Sequence, residues 1–315
     1  MQQRILPRGE IEGLDHTSIP RLAQARAQFV FKERADRLRH HAADSPIAHY
    51  LYLVAHLADA QHAALAKYVQ IPTATTDQIA RSQAHGMPPL QASGWQRDAL
   101  WLDILDQIVQ HLIAQDDVNQ AVKQLAQQIV DEIQQQPEAL ENVADALLSG
   151  FSEGIDAAKA PFVMAALQVY WTRLGIDFAE DQLPVITPFG VCPCCGSLPV
   201  STVVRIGGPR DGMRYAVCGL CSTEWHIVRV TCTHCEDTQH IHYHSIEDGS
   251  EAIKAESCGK CNTYRKIFYQ NKDQYVEAVA DDLASLELDI LMGEEGFYRV
   301  NDNPFLWHQP AAEES

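Results

Sequence analysis

The sequence reads CPCCGSLPV at residues 192–200, CGLC at 218–221, CTHC at 232–235 and CGKC at 258–261. These four segments contain all nine cysteines of a chain of 315 residues. Cysteines that are confined to one region predict a local substructure whose folding depends on them.

The cysteine region repeats itself after 40 residues. Each copy consists of C-x2-C, 22 intervening residues and a second C-x2-C. Some neighbours repeat as well, since Gly219 and Thr223 recur as Gly259 and Thr263. A period of this length predicts one supersecondary unit that is present twice. The first copy contributes Cys192, Cys195, Cys218 and Cys221, and the second contributes Cys232, Cys235, Cys258 and Cys261.

This spacing predicts two metal sites, each with four thiolate ligands. A C-x2-C turn points two sulfurs at one position, and a hairpin of the intervening residues brings the second turn opposite the first. Four thiolates in a tetrahedron suit zinc or iron. Pairing within each copy is the simplest arrangement. In the alternative, crossed arrangement, Cys232 and Cys235 share an ion with Cys218 and Cys221. The spacing also leaves open whether the ions only stabilise the fold or take part in redox chemistry.

Other residues near the cysteine turns are weaker candidates. Cys194 lies inside the first turn, and we expect it to be a residue that is not a ligand. His240, His242 and His244 alternate along the chain, so on a strand they share one face. We expect them to be solvated residues of that face, with a third metal site as the alternative.

The chain before the cysteines has the pattern of a helical domain. Between about residues 20 and 175, apolar residues recur at helical spacing and predict roughly six helices. Ser45 is a candidate N-cap. Residues 161–174 are apolar nearly all round, which predicts a central helix that ends at Gly175. We predict a long loop for residues 70–95, because of Pro72, Gly86, Pro88 and Pro89.

The sequence pattern changes from residue 176 onward. Residues 176–190 resemble a linker, and a final helix is predicted at about 282–292, with Asp281 and Asp282 as its N-terminal caps. The tail after Pro304 is expected to be poorly ordered. Short β-rich runs are predicted at 200–206, 224–230 and 264–269.

The predicted fold class is α plus small β. An α-helical domain at 1–180 precedes a four-cysteine module at 181–230 and a second one at 231–275. A C-terminal helix and tail follow at 276–315.

Composition and the lack of certain motifs argue against several classes of function. The net charge of −18 argues against a nucleic-acid partner, because phosphate binding requires clustered lysine and arginine. The N-terminus has no apolar signal region, and the most apolar run, 162–171, is too short to span a bilayer. We therefore expect a cytoplasmic protein that is not inserted in a membrane. The sequence has no catalytic triad, phosphate-binding loop or HExxH motif, so we expect that it is not an enzyme.

The sequence resembles the FdhE-type accessory proteins of formate dehydrogenase. The resemblance lies in RYAVCGLCSTEWHIVRVTC at 214–232, KAESCGKCNTYRKIFYQ at 254–270, CPCCGSLPV, VEAVADDLASLELD at 276–289, NPFL at 303–306 and KAPFVMAALQVYW at 159–171. It implies two tandem rubredoxin-like, zinc-ribbon-like modules that bind iron through the eight paired cysteines. It also implies a cytoplasmic factor that is required for active respiratory formate dehydrogenase. Such a factor contacts the catalytic subunit before that subunit is exported.

Three functions are compatible with these features. The first is an assembly factor for formate dehydrogenase, as the resemblance implies. The second is a rubredoxin-type electron carrier, although a carrier leaves the large helical domain unexplained. The third is a nucleic-acid-binding zinc ribbon, which the acidic charge disfavours.

Overall fold

The structure is a computed structural model that describes residues 19–68, 70–150, 155–186 and 189–307. A helical half precedes a half that is built on one β-sheet, which confirms the predicted fold class. The helices of the first half are α1 (Val30–Ala42), α2 (Ala48–Lys67), α3 (Thr76–His85), α4 (Leu100–Ile113), α5 (Gln120–Gln135), α6 (Pro137–Ser149) and α7 (Ala160–Ile176).

The sheet joins both cysteine copies side by side. Strand β1 comes from the N-terminal part of the chain, β2 to β4 belong to the first copy and β5 to β7 to the second. The strands are β1 (Leu22–Ala23), β2 (Pro199–Val204), β3 (Arg214–Cys218), β4 (Glu224–His226), β5 (Ile241–His244), β6 (Ile253–Cys258), β7 (Thr263–Tyr269) and β8 (Tyr298–Arg299). Their order is β1-β4-β3-β2-β7-β6-β5, and β8 pairs with β7.

Each copy forms three antiparallel strands, and a parallel pair connects the two copies. In that pair β2 lies beside β7, with Thr202 opposite Ile267. Strand β1 extends the sheet at its other side, where Leu22 lies opposite Trp225 of β4. The helical half therefore contributes directly to the sheet of the first module.

Helix α7 is the central helix of the fold. It is buried on nearly all sides, as its continuous apolar sequence predicts. The predicted stop at Gly175 is wrong, because the helix continues to Ile176. Gly175 instead faces the first cysteine turn, where an added Cβ would lie 3.3 Å from Cys194 Sγ. The glycine leaves room for this close approach and does not end the helix.

Two local predictions in the helical half are also wrong. The segment predicted as a long loop contains α3, which starts with a capping box between Thr75 and Gln78 and ends at Gly86 in the left-handed conformation. Ser45 is not the N-cap of α2. Its hydroxyl accepts a hydrogen bond from the amide of Ile47, and the helix begins at Ala48.

The single C-terminal helix that we predicted is broken in two, α8 (Ala280–Ala284) and α9 (Leu286–Glu294). The break lies at Ser285, whose carbonyl accepts a hydrogen bond from buried Lys266 of β7 at 2.9 Å. Lys266 Nζ also donates to the carbonyl of Asp282 at 2.8 Å. These carbonyls bond to a strand instead of continuing the helix. The predicted disorder after Pro304 is wrong for Phe305, which is fully buried, while residues 308–315 lie outside the described residues.

One apolar core extends through both halves of the molecule. It includes most of α7 and all five cysteines between residues 192 and 221, but none of the four cysteines of the second copy. Buried ion pairs also connect the halves, where Arg34 meets Glu277 at 3.2 Å and Arg37 meets Asp281 at 2.6 Å. Among the described helices, none combines the length and the apolar character that a membrane crossing requires.

Candidate metal centres

The first cysteine group lies where three strands of the first module begin or end. Cys192 and Cys195 occupy the turn before β2, Cys218 ends β3, and Cys221 lies in the turn before β4. The Sγ atoms of Cys192 and Cys221 are 3.5 Å apart, as are those of Cys195 and Cys218. All four sulfurs lie within 4.8 Å of one another.

The second group repeats this placement in the second module. Cys232 and Cys235 precede β5, Cys258 ends β6, and Cys261 precedes β7. The Sγ atoms of Cys232 and Cys261 are 3.7 Å apart, as are those of Cys235 and Cys258. Both groups therefore form within one copy, and the crossed arrangement is not observed.

The sulfur positions fit a tetrahedral ion. A metal–sulfur distance of about 2.3 Å places two ligands of a tetrahedron about 3.8 Å apart. The observed separations are close to this value and far from the ~2.05 Å of a disulfide. Each group can therefore hold one metal ion, whose identity the geometry does not select.

The turns repeat in backbone conformation as well as in sequence. The residue after each C-x2-C pair has a positive φ, at Gly196, Ser222, Glu236 and Asn262. Only one of these four is a glycine, and a non-glycine residue adopts this conformation at a cost. The shared conformation shows that each turn is held by its surroundings and not by glycine alone.

Backbone amides point at the sulfurs, as a thiolate site requires. Cys218 Sγ accepts from the amides of Leu220 and Cys221, both at 3.4 Å. Cys232 Sγ accepts from the amides of His234 at 3.4 Å and Cys235 at 3.5 Å. Hydrogen bonds to the charged form stabilise thiolates, so both turns favour metal ligation.

The last cysteine of each group has a lowered pKa. Burial opposes ionisation of Cys221, but hydrogen bonds from the neighbouring thiols lower its pKa well below the usual value. Burial also opposes ionisation of Cys261, where hydrogen bonds from Thr263 and other groups lower the pKa to about 7. Burial raises the pKa of Cys235 to about 12 and that of Cys192 well above its usual value.

The helical half covers the first centre. The amides of Leu90 and Ala92 donate to the carbonyls of Cys194 and Cys195 at 3.1 and 2.9 Å. From α7, Gln168 Nε2 donates to the carbonyl of Gly219 at 2.5 Å. The loop and the helix thus bind both cysteine turns of this centre, and its four ligand candidates are fully buried.

The second centre lies closer to solvent. Cys235 and Cys261 are only half-buried, whereas Cys232 and Cys258 are buried. Next to the turn, Asp237 pairs with exposed His240 at 3.0 Å. This centre belongs to the sheet and lies outside the main core.

The remaining candidates stay outside both groups. Cys194 is fully buried and contacts Cys221, but it is not one of the four clustered sulfurs. His240 and His242 are exposed, and His244 bonds to Ser257 at 2.7 Å. Within the described residues, the histidines form no group that could hold an ion.

Asp281 and Asp282 have a role that differs from the predicted capping. The first amides of α8, at Val279 and Ala280, bond to Glu277 Oε2 at 3.0 and 2.6 Å. Asp281 is fully buried against Arg37, and Asp282 is fully buried against Arg299.

 The sequence does not reveal that Asp281 and Asp282 form buried ion pairs, because the partners of the two carboxylates are distant in the chain. The signal that was available is Lys266, a lysine in the middle of β7 that pairs with Asp282 at 3.7 Å.

Family models match nearly the whole chain in three consecutive parts. They are described as "FdhE, N-terminal" over residues 19–187, "FdhE, central domain" over 191–229 and "FdhE, C-terminal domain" over 230–306. The central and C-terminal matches contain the first and the second cysteine group, respectively.

Named relatives and a solved structure agree with these matches. "Protein FdhE homolog" of Serratia proteamaculans is 40% identical over 314 residues, which cover 98% of this chain and 99% of the relative. "Protein FdhE" of Salmonella newport is 38% identical over 319 residues, with 98% of each chain covered. The crystal structure of the FdhE protein from Pseudomonas aeruginosa matches with a TM-score of 0.81 and 35% identity, covering 91% of this chain and 99% of that one. The chain belongs to the FdhE family.

Proposed function

We propose that this protein is a cytoplasmic accessory factor for the assembly of active respiratory formate dehydrogenase. It binds the catalytic subunit of that enzyme before export and catalyses no reaction of its own. Membership of the FdhE family over almost the full chain is the observation that carries this proposal. The acidic charge of −18 supports a protein partner over a nucleic acid.

The eight paired cysteines are, in this proposal, the ligands of two metal ions. Four thiolates at tetrahedral spacing and backbone amides directed at the sulfurs support the assignment. Iron is the proposed ion and zinc is the alternative, because both accept four thiolates in a tetrahedron. When it is bound, the ion supplies cross-links between the turns, and iron can in addition change its oxidation state.

In this proposal the two centres have different structural roles. The first centre fixes the sheet against α7, because its turns bond to the helical half through Gln168 and the amide of Leu90. The second centre shapes a surface, because Cys235 and Cys261 are half-buried at the outer part of the sheet. A rigid surface of this kind can bind a client protein without any chemical step.

The client role is tested in a strain that lacks its own factor. The tagged full-length chain is produced under anaerobic conditions, and co-purification of the formate dehydrogenase catalytic subunit is measured together with formate oxidation. We expect both capture of the subunit and recovery of activity. Cys258→Ser should reduce both, and Cys194→Ala is the matched control that removes a thiol outside the ligand groups. Recovery of no catalytic subunit with the unaltered chain would refute the client role.

The metal is tested separately by anaerobic purification, metal analysis and visible absorption. We expect one iron for each four-cysteine group and the absorption of an iron–thiolate protein. Colourless protein that contains zinc would replace iron by zinc and leave the ligand assignment intact. Protein that binds neither ion would refute both sites.

A rubredoxin-type electron carrier is the second candidate function. The half-buried Cys235 and Cys261 favour it, because an electron partner must approach the ion closely. Reversible one-electron reduction of the iron-loaded chain with turnover of a partner would support this candidate. Zinc in the freshly isolated protein would exclude it, since zinc has no redox chemistry.

A further inference from the structure

Arg265 of β7 is a buried cation without a carboxylate partner. Its side chain is 4% exposed, and no ion pair of this residue occurs within the described part of the chain. Arg265 Nε donates to Thr233 Oγ1 at 2.9 Å, and one terminal nitrogen donates to the carbonyl of Pro199. The other terminal nitrogen is buried and has no hydrogen-bond partner. Such an arrangement is costly unless a negative charge compensates it.

The second metal centre is the place from which this compensation can come. Thr233, which holds the guanidinium, lies between the ligand candidates Cys232 and Cys235. Arg265, Cys232 and Cys258 line one narrow cleft. The volume of the cleft, about 10 Å³, is at the lower limit for one water molecule, so little water separates the residues that line it. Glu256 lines the cleft as well, but its carboxylate is already paired with Arg214.

Two comparisons within the fold set Arg265 apart. Arg214 is as deeply buried, but it pairs with Glu256 at 2.7 Å and is therefore neutralised. Arg205 of the first module pairs with Glu224 at 2.5 Å. Burial lowers the pKa of Arg265 to about 9, and the cations of Arg299 and Arg214 act in the same direction, whereas the negative charges of Asp282 and Cys232 raise it. The guanidinium nevertheless stays protonated at neutral pH.

We propose that Arg265 is a positioning residue that balances the negative charge of the second metal centre. A divalent ion with four thiolates carries a net charge of −2, and a trivalent ion leaves −1. A nearby buried cation stabilises both states and stabilises the divalent state more. Arg265 thus strengthens divalent-ion binding at the second centre and raises its reduction potential when the ion is iron. This inference rests on the proposed metal sites and is independent of the client.

The test compares Arg265→Gln and Arg265→Lys in the full-length chain. Cobalt(II) is titrated against a competing chelator, and the affinities of the two sites are measured by absorption. We expect Arg265→Gln to weaken one of the two sites on the order of tenfold. Arg265→Lys should recover most of this loss, and Arg205→Gln, the matched control, should leave both sites unchanged. When both sites hold iron, the reduction potential of one of them should be lower in Arg265→Gln than in the unaltered chain. A tenfold difference between the two oxidation states corresponds to about 59 mV.

The outcomes separate this inference from the proposed sites. Unchanged ion affinity in Arg265→Gln would overturn the proposed role of the charge and leave the metal sites intact. Equally weak binding by both Arg265 variants would have the same consequence. An unaltered chain that binds no cobalt would overturn both the role and the sites. If Arg265→Gln does not fold, Thr233→Val provides the decision, because it removes the tether and keeps the charge. A loss of cobalt affinity at one site supports the role of the charge, because the guanidinium is no longer held beside the ligand turn, and affinities within about twofold of the unaltered chain at both sites overturn it.

Discussion

The two four-cysteine modules have the same local structure in different surroundings. Both place their sulfurs at tetrahedral spacing and use a left-handed residue after each cysteine pair. The first centre is fully buried, and its cysteines belong to the main core. The second centre lies outside this core, with two half-buried cysteines. A duplicated sequence unit thus provides one centre for the interior and one for the surface.

The difference teaches that the ligand set does not fix the role of a centre. The first centre is bound to the helical half by hydrogen bonds from Leu90, Ala92 and Gln168. The second module is held instead by a charged network, in which Asp282 meets Lys266 and Arg299. The consequences of losing an ion should therefore differ between the two centres.

Serine at equivalent positions gives the largest expected contrast. Cys218→Ser should prevent the chain from folding stably. Metal binding contributes about 10–16 kcal/mol in zinc peptides, which is comparable to the whole stability of a domain, about 5–15 kcal/mol. Cys258→Ser should lose one ion and leave the helical half folded. Metal content and thermal unfolding by circular dichroism measure both effects. Equal losses in the two variants would contradict the proposed difference between the centres.

Asp282→Asn should produce the next largest effect, on the second module. The carboxyl is fully buried, and its loss leaves Lys266 and Arg299 with only the half-buried Asp289 as a carboxylate partner. Removing one member of a buried pair costs about 3–5 kcal/mol. Denaturant unfolding measures the loss. Glu287→Gln, which changes an exposed carboxylate at the start of α9, is the control and should cost under about 1 kcal/mol.

The same carboxylate gives a pH dependence with a defined sign. Burial opposes ionisation of Asp282, but the cations of Arg299 and Lys266 prevail and lower its pKa. A lowered pKa contributes stability above the unfolded value of about 3.9. This contribution is lost as the pH falls below that value through the folded pKa. Asp282→Asn should lack this part of the acid dependence, and an unchanged pH profile would contradict it.

Chelator treatment should release the two ions at different rates. The second ion is expected to leave faster by about tenfold or more, because opening a site near solvent exposes less core than opening a buried one. Zinc release to a coloured chelator should therefore have two phases. The fast phase should be absent from Cys258→Ser. A single phase that accounts for both ions would show that burial does not control release.

Cys194→Ala should have the smallest effect. The thiol is buried beside Cys221 and Gly175, so its removal leaves a small cavity that costs about 1 kcal/mol. Both ions should remain, because Cys194 is outside the four clustered sulfurs. Thermal unfolding and metal analysis check the two statements. Loss of an ion would identify Cys194 as a ligand that replaces Cys221.

The sequence predicts best where one local pattern is sufficient. The C-x2-C pairs predict both sulfur groups, and the apolar run of α7 predicts the buried helix. Helix α3 was missed because its capping box was hidden in a segment with several prolines. The prediction that Asp281 and Asp282 cap a helix was wrong. A carboxylate near a helix start has the same local sequence pattern whether it caps the helix or pairs with a distant cation.

The sequence by itself determined the four C-x2-C turns and the helical half, because each depends on residues that are close along the chain. The tertiary structure decided that the turns group within each copy and not across the copies. The tertiary structure decided how the repeats meet, by pairing β2 with β7 in parallel. It also decided that the linker needs glycine at Gly190, where an added Cβ would lie 2.2 Å from the carbonyl of Thr233. Burial of one centre and exposure of the other follow from which repeat packs against α7. Packing of this kind depends on residues far apart in the chain, so it has no local signature.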